Sequence, residues 1–345
     1  MKALINNIAI KAIASYLPGQ VLEMSSLAKE YGEKEVVNII KATGVQRVHI
    51  ADKDETSSDM CLKAANHLIE KENIDRNTID GLIFVSQTTD YILPATSIIL
   101  QNKLGLSKET VCIDIHYGCS GYIYGLYQAA LWLSSKSCKN VLLLAGDTTS
   151  KMIHPLDRSL RMVFGDAGTA SLITTGSSMM GVSICSDGSG CDKLIVPAGG
   201  FRMPVSEYTK ELTFDEDKNG RTLEHLYMDG MGIFNFAISN VHKDINRVIE
   251  LMQWEKDDID LYALHQANAF MVNYIRKKLK VDSSKVPINV IDYGNTGPAT
   301  IPLLLSGTNE KELGKTIMAG FGVGLSWGSI AISLEGTKLY KPING

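Results

Sequence analysis

A cysteine stands at the junction of a predicted strand and a predicted helix. Val111–Ile115 is a short apolar run suited to a buried strand, and Cys119 comes one step before a stretch with helical periodicity. The first turn of a helix exposes unpaired N–H groups and the positive end of its dipole. These groups stabilise a thiolate and the oxyanion formed when that thiolate attacks a carbonyl. Because a lone cysteine is more often a small buried hydrophobe, the nucleophilic interpretation depends on the rest of the chain.

Two further polar residues follow predicted strands. His265 follows the run at 260–264, and Asn295 follows the run at 288–291. Ligands of α/β sheets collect where strands present their C-terminal ends, so we expect Cys119, His265 and Asn295 to share one site. Each residue also has a structural explanation, since His265 could cap the next helix and Asn295 lies in a glycine-flanked turn that suits asparagine.

Apolar runs alternate with helical patterns along the chain, and this order positions the three residues. The predicted strands are residues 7–14, 81–86, 111–115, 140–145, 169–174, 260–264, 288–291, 316–319 and 329–334. The predicted helices are 58–70, capped by Ser57 and Ser58, then 96–104, a helix after Cys119, a long helix over about 234–252, 267–279, and a short one ending near 305. Strands that are apolar on both faces and separated by helices imply a sheet covered on both sides.

The order of elements repeats after Gly176. We therefore expect two halves of similar architecture, at residues 1–176 with the cysteine and 177–345 with the histidine and asparagine. Residues 186–230 are polar, rich in glycine and poor in periodicity, which predicts a segment that covers a site.

Composition excludes several classes of function. The chain has 345 residues and a net charge of -4, which leaves no global basic field for nucleic acid. No apolar run is long enough for a membrane span, and Asn6, Asn7 and Lys11 interrupt the only candidate signal-peptide core. The six cysteines form no CxxC pair. We expect a cytoplasmic protein without disulfides.

No pattern points to a metal or a cofactor. The histidines lack the spacing of metal ligands. The glycines at 320, 322 and 324 precede a strand-like run, whereas a dinucleotide-binding loop requires a helix there. This loop is better interpreted as backbone packed close to a site. We therefore predict neither a metal nor a cofactor.

Cysteine, histidine and asparagine in that chain order also fit a papain-like protease. Such proteases carry the cysteine near the mature N-terminus within a distinct flanking pattern. The position of Cys119 after a buried strand, together with its flanking residues, argues against that class.

Six motifs in order resemble a known family, the thiolase-fold condensing enzymes, and within them β-ketoacyl-acyl-carrier-protein synthase III. They are Thr43-Gly44-Val45 with Arg47 and His49, Gly118-Cys119-Ser120-Gly121, Phe164-Gly165-Asp166, His265-Gln266-Ala267-Asn268, Gly294-Asn295-Thr296, and Gly320-Phe321-Gly322 through Trp327-Gly328-Ser329. The resemblance covers nearly the whole chain. It implies an α/β thiolase-like fold of two duplicated halves, each with a five-stranded mixed sheet, layered αβαβα, and a homodimer.

The resemblance also implies an acyltransferase mechanism. Cys119 would take an acyl group from a thioester, after which His265 and Asn295 would hold the carbonyl of a malonyl thioester during its decarboxylation and condensation. The side chains of His265 and Asn295 form a neutral donor pair that can stabilise this oxygen without a metal. The backbone N–H groups of Cys119 and Val323 would hold the other oxyanion. Coenzyme A or an acyl carrier protein would bear the thioesters, in fatty acid or a more specialised lipid synthesis.

Departures from the family pattern concern the substrate. Arg158 matches a nucleotide-contacting arginine, but Asn38 and Ala42 stand where the housekeeping enzymes have the tryptophan and arginine that hold adenine. The choice between coenzyme A and carrier-protein donors is therefore open. Leu93 stands where the family places a side chain in the partner's acyl pocket, and Phe321 is expected to contact substrate.

The helix after His265 bears on carrier-protein docking. Phe270 replaces an arginine usual in the family, whereas Arg276, Lys277 and Lys278 remain as basic side chains. They could meet an acidic carrier protein or form an ordinary solvated helix face. Two alternatives to condensation also stay open, namely acyl transfer from Cys119 to an alcohol, amine or other nucleophile without decarboxylation, and a non-catalytic carrier-binding subunit.

Overall fold

The computed structural model describes residues 1–308 and 313–345. Its strands are β1 (Lys2–Leu17), β2 (Gln20–Glu23), β3 (Arg47–Ile50), β4 (Gly81–Val85), β5 (Val111–Ile115), β6 (Asn140–Asp147), β7 (Ala167–Thr175), β8 (Ser178–Ser186), β9 (Leu194–Ile195), β10 (Thr213–Phe214), β11 (Gly220–Arg221), β12 (Tyr227–Met228), β13 (Leu261–Leu264), β14 (Lys315–Gly322), β15 (Ser326–Ser333), β16 (Lys338–Leu339) and β17 (Ile343–Asn344). Its α-helices are α1 (Ala28–Tyr31), α2 (Glu33–Thr43), α3 (Ser57–Lys71), α4 (Thr96–Lys103), α5 (Gly121–Ser134), α6 (Arg158–Arg161), α7 (Gly230–Met252), α8 (Ala269–Leu279), α9 (Val290–Tyr293) and α10 (Thr300–Ser306).

One mixed sheet runs through the molecule in the order β13-β14-β15-β8-β1-β7-β6-β4-β5. From β1 outward through β7, β6, β4 and β5, successive pairs are antiparallel, antiparallel, parallel and parallel. From β8 outward through β15, β14 and β13, they are antiparallel, antiparallel and parallel. This repeated pattern is the duplicated architecture expected of the thiolase-like fold. Because β1 and β8 also pair with each other, the two arms form one hydrogen-bonded sheet.

The helices form three layers around the two arms. α5 and α10 contact strands of both arms and fill the space between them, around buried side chains that include Tyr122, Leu126 and Ile301. α3 covers the outer face of the first arm, and α7 and α8 cover that of the second. The predicted αβαβα layering is confirmed. It follows from strands that are apolar on both faces and must be covered twice.

The predicted strand at 288–291 is wrong. The chain forms the short helix α9 there, so the second arm has four strands in the described part of the chain where five were expected. The side chain of Gln266 explains the difference, because its Nε2 donates to Leu264 O at 2.8 Å and its Oε1 accepts from Asn289 N–H at 3.1 Å. This amide replaces the backbone ladder that a strand beside β13 would have made.

Two further predictions concern helix ends and the covering segment. α3 begins after Thr56, which forms a reciprocal capping box with Asp59, so the predicted cap at Ser57 and Ser58 is corrected by one residue.

Residues 186–230 contain the short strands β9 to β12 and two 3₁₀ turns. Within the described residues, no helix is long and apolar enough to cross a membrane.

Candidate active site

A cavity of about 200 Å³ contains all three residues singled out by the sequence. Cys119, His265 and Asn295 line it together with Phe321, and Leu194, Met228 and Gly230 of the covering segment form another part of its wall. The remaining lining residues are Thr43, Ser159, Val163, Phe164, Ile233, Ala267, Asn268, Met271 and Gly322. Residues from both halves of the chain therefore meet in one enclosed space.

Cys119 lies between β5 and α5, with Ser120 as the residue before the helix. The end of β14 is pressed against this segment, because a Cβ on Gly320 would lie 2.9 Å from Cys119 O. A Cβ on Gly322 would lie 2.9 Å from the Cys119 sulfur. The glycines of β14 therefore allow its backbone to pass directly over the cysteine, which confirms the interpretation of this loop as backbone packed close to a site.

Burial and hydrogen bonding shift the pKa of the Cys119 thiol in opposite directions. Burial raises the pKa of the thiol to about 12, and the charge of Asp147 adds to this. The backbone N–H groups of Val323 and of Cys119 itself bond to the sulfur and lower the pKa. The two N–H groups predicted as an oxyanion hole thus converge on the sulfur. Donors in this position can also stabilise an oxyanion formed at a carbonyl attached to it.

His265 follows β13 and is buried, with 1% of its surface exposed. Burial lowers the pKa of its imidazole to about 3, so the ring is neutral at physiological pH. Its Nδ1 lies 2.7 Å from Thr300 Oγ1, and Phe321 packs against the ring edge to face at 5.3 Å between centroids. A neutral imidazole held on one nitrogen presents the other nitrogen, Nε2, for hydrogen bonding.

Asn295 is fixed by backbone and side-chain hydrogen bonds. Its N–H donates to Val163 O at 2.8 Å, and its carbonyl accepts from Gly165 N–H at 3.1 Å. The side-chain Oδ1 accepts from Gly297 N–H at 3.0 Å. Because Oδ1 is used in this way, the Nδ2 group is the end of the amide that can donate to a ligand.

Comparisons with known proteins identify the family of the chain. The profile of 3-oxoacyl-[acyl-carrier-protein (ACP)] synthase III matches residues 113–188, and the profile of its C-terminal part matches residues 249–334. The β-ketoacyl-[acyl-carrier-protein] synthase III of Streptococcus sanguinis is 33% identical over 337 residues, covering 95% of this chain and 100% of that protein. The chain belongs to the β-ketoacyl-[acyl-carrier-protein] synthase III family.

Other relatives support the same assignment to the synthase III family. The synthase III of Caldanaerobacter subterraneus is 33% identical over 330 residues, covering 94% of this chain and 96% of that protein. A crystal structure of a 3-oxoacyl-(acyl-carrier protein) synthase from Burkholderia xenovorans has a TM-score of 0.92 at 35% identity, covering 100% of this chain and 99% of that one. The family resemblance and the thiolase-like fold are thereby confirmed, as is the class of acyl-transferring condensing enzymes.

The structure places Arg158 beside the cavity, next to Ser159, which lines it. Its Nε lies 3.2 Å from Glu35 Oε1, and its Nη2 donates to Asp217 O at 2.6 Å. The guanidinium predicted to contact a nucleotide is therefore already held by partners within the chain.

Phe321, also predicted to contact substrate, lines the first cavity, whereas four other residues predicted for the synthase III substrates lie away from it. Leu93 is 79% exposed in the loop before α4, and Lys277 and Lys278 are exposed in the last turn of α8. Arg276 is only partly exposed, and its Nη1 donates to Val281 O at 3.4 Å. The structure thus does not bring these four residues to the reacting groups.

A second cavity, of about 260 Å³, adjoins the cysteine segment. Gly118 and Val323, the chain neighbours of Cys119 and Gly322, form part of its wall. Polar side chains share the lining, notably Gln87, His116 and Tyr117. Val323 thus donates its N–H to the sulfur and also lines this second cavity, although Cys119 itself does not.

Sequence reasoning missed several residues of the site. Thr43 and Ser159 line the cavity, and Thr300 bonds to His265 from outside it. Thr43 belongs to a family motif but had no predicted role, and Thr300 lies close to one. No spacing rule indicates that Thr43 faces the cavity or that Thr300 contacts His265. Only the packing of α2, α6 and α10 against the strand ends reveals these contacts.

Proposed function

We propose that the chain is a β-ketoacyl synthase III that condenses an acyl thioester with a malonyl thioester through Cys119, His265 and Asn295. The thiol of Cys119 adds to the acyl thioester, the carrier thiol leaves, and an acyl-enzyme forms. The malonyl thioester then loses CO₂, its carbanion attacks the acyl carbonyl, and a β-ketoacyl thioester departs as the cysteine thiolate is regenerated. The convergence of these three side chains in one cavity is the observation that carries the proposal.

Each half-reaction has its own set of neutral donors. The N–H groups of Cys119 and Val323 stabilise the oxyanion of acyl transfer. His265 and Asn295 donate to the malonyl thioester oxygen, which gains negative charge as CO₂ leaves. A neutral His265 suits this task, since a buried imidazolium would itself require a counter-charge. No observation favours acyl transfer to an alcohol or amine in its place.

The contacts of Arg158 favour a primer carried by an acyl carrier protein over one carried by coenzyme A. Glu35 and the Asp217 carbonyl already bind the guanidinium, so a nucleotide phosphate would have to displace a carboxylate. Asn38 and Ala42 are exposed and offer no flat surface for adenine. The exposed Lys277 and Lys278 are suited to an acidic carrier protein.

We further propose that the second cavity takes the acyl group and that the protein is a cytoplasmic homodimer. Val323, whose N–H bonds to the Cys119 sulfur, lines this cavity together with Gly118, the residue before Cys119. The outer edge of β5 is free in the described residues, and Leu93 lies in an exposed apolar loop near it. All six cysteines are free, which fits a reducing compartment.

The proposal is tested by separating the two half-reactions. Cys119→Ala should take no acyl group from a panel of acyl carrier protein and coenzyme A thioesters, as read by intact mass. His265→Ala and Asn295→Ala should still be acylated but release CO₂ from malonyl thioester on the order of a hundredfold more slowly.

Cys191→Ala is the matched control for the thiol, because Cys191 is exposed and lies outside both cavities. It should be acylated like the unmodified protein. Condensation by Cys119→Ala, or CO₂ release unchanged in both His265→Ala and Asn295→Ala, would overturn the proposal.

A further inference from the structure

Thr300 lies directly behind His265, outside the cavity. It is the first residue of α10, is 1% exposed, and its Oγ1 is 2.7 Å from His265 Nδ1. The same oxygen is 3.0 Å from the carbonyl of Gly297. Thr300 does not line the cavity, so any effect on the reaction must act through the imidazole.

The role proposed for His265 decides which acceptor the hydroxyl of Thr300 serves. The threonine hydroxyl has one proton, which it can give either to Nδ1 of His265 or to the carbonyl of Gly297. The Gly297 carbonyl already accepts the backbone N–H of Thr300. Nδ1 of His265 is buried, and Thr300 is its hydrogen-bonding partner. Either arrangement leaves every group bonded, because Nδ1–H could donate to Thr300 while the hydroxyl donates to Gly297. The hydroxyl is needed as a donor to Nδ1 when the ring proton is on Nε2, as the role proposed for His265 requires.

The direction of this bond fixes the tautomer of a neutral imidazole. When Nδ1 accepts from Thr300, the ring proton resides on Nε2, which can then donate into the cavity. In the opposite arrangement, Nδ1–H would donate to Thr300, and Nε2 would present a lone pair that repels a carbonyl oxygen. Only the first arrangement stabilises the enolate formed when a malonyl thioester loses CO₂.

The same turn also orients the second donor. Gly297 N–H donates to Oδ1 of Asn295, while its carbonyl binds Thr300. Gly297 has φ of 60°, and a Cβ there would lie 2.7 Å from Asp147 Oδ2. One glycine turn thus holds both side chains with their N–H groups directed to the substrate.

We propose that Thr300 is a positioning residue for decarboxylation, whose hydroxyl donates to Nδ1 of His265 and keeps the ring proton on Nε2. The inference rests on the proposed function, because it assigns to His265 the role of hydrogen-bond donor. It predicts a specific loss in one half-reaction, since acyl transfer uses the N–H groups of Cys119 and Val323.

The test compares Thr300→Val, which keeps the shape and removes the hydroxyl, with Thr300→Ser, which keeps the hydroxyl. Thr300→Val should reduce the kcat of CO₂ release roughly ten- to a hundredfold with little change in KM for the malonyl thioester, and acylation of Cys119 should stay near the unmodified rate. Thr300→Ser should restore most of the rate. Equal kcat values in Thr300→Val and the unmodified protein would overturn the proposal.

The tautomer of His265 can also be measured directly in the unmodified protein. In protein labelled with ¹⁵N-histidine, the two ring nitrogens of His265, assigned by loss of their signals in His265→Gln, should report a proton on Nε2. A proton on Nδ1 in the unmodified protein would overturn the proposal even if Thr300→Val fails to fold. Thr296→Val is the matched control, because Thr296 is buried in the same turn and its hydroxyl bonds to no group in the described part of the chain. It should leave the tautomer of His265 unchanged.

His265→Ala, assayed in parallel, distinguishes a failure of the role proposed for His265 from a failure of the role proposed for Thr300. If His265→Ala decarboxylates normally, the donor role that the proposed function gives to His265 fails. If His265→Ala is impaired but Thr300→Val keeps both the rate and the tautomer, only the role of Thr300 is refuted.

Discussion

Cys119, the proposed nucleophile, lies in a site that favours the neutral thiol. Burial raises the thiol pKa to about 12, although two N–H groups oppose the shift. The same N–H groups lie where the oxyanion of acyl transfer would form. Their full effect is therefore expected in the transition state, which is where stabilisation increases the rate.

This balance predicts a steep pH dependence of thiol modification. Alkylation of Cys119 by iodoacetamide should accelerate about tenfold per pH unit from pH 7 to pH 10, because only the thiolate reacts and its fraction grows in that proportion below the pKa. Mass spectrometry of the peptide that contains Cys119 measures the rate. A plateau near neutral pH would show that the N–H groups and the start of α5 outweigh burial.

His265 should lower stability in acid without limiting activity there. Its folded pKa of about 3 lies below the ordinary 6.5, so between these values the unfolded chain binds a proton that the folded chain does not. The contribution of His265 to the free energy of unfolding therefore decreases as pH falls below 6.5. The decrease is about 2 kcal/mol between pH 7 and pH 5.

Urea unfolding of the unmodified protein and of His265→Gln measures this effect. Between pH 7 and pH 5, the free energy of unfolding of the unmodified protein should fall by about 2 kcal/mol more than that of His265→Gln. Parallel curves would contradict a depressed His265 pKa. The rate of CO₂ release should show no loss from protonation of His265 over the same range.

At the scale of elements, β14 determines the space around the cysteine. Gly322→Ala would place a Cβ 2.8 Å from Cys119 Cβ and 2.9 Å from its sulfur. The strand end or the cysteine must then shift, which should reduce the rate of acylation on the order of a hundredfold. The stability cost should be only about 1 to 3 kcal/mol, as for other cases of overpacking.

Acylation measured by intact mass, with thermal unfolding alongside, tests this prediction. Gly200→Ala is the matched control, since no atom lies within 4 Å of the Cβ it would add. Normal acylation by Gly322→Ala would show that the close approach of β14 is not required.

The sequence predicted the elements whose apolar pattern decides their structure. The runs that became β4 and β6 are mostly apolar and buried, which left little choice of conformation. The run at 111–115 formed the predicted strand, but the prediction that it is buried is wrong, because β5 lies at the edge of the sheet with Val111 and Ile113 exposed. The run at 288–291 looked similar but became α9, because the side chain of Gln266 took the place of the neighbouring strand. Such a side-chain contact has no periodicity, so a pattern of apolar residues cannot reveal it.

The site shows the same limit. Cys119, His265 and Asn295 could be found because each follows a predicted strand and lies in a family motif. Thr300 could not, because its bond to His265 crosses 35 residues and depends on the orientation of α10. The division of the chain at residue 176 remains a prediction, since the arms share one sheet through β1 and β8.

At the scale of the whole molecule, the outer edge of β5 is the feature that a second copy would cover. Val111 is 43% exposed and Ile113 is 37% exposed on this strand, and Ile92 in the neighbouring loop is 80% exposed. An unprotected apolar edge strand promotes association, and two copies related by a twofold axis could pair these edges antiparallel. Such pairing would extend the sheet from one protomer into the next.

If the proposed dimer forms through β5, Ile113→Lys should convert it into a monomer, because a buried ammonium without a partner would oppose the pairing of two β5 strands across the axis. Sedimentation equilibrium measures the mass directly. Met179→Lys is the matched control, as Met179 is 43% exposed on β8, away from this edge. It should remain dimeric. If the unmodified protein is monomeric, or if Ile113→Lys stays dimeric, β5 is not the interface, and Leu93 has no route to a partner's cavity along this edge.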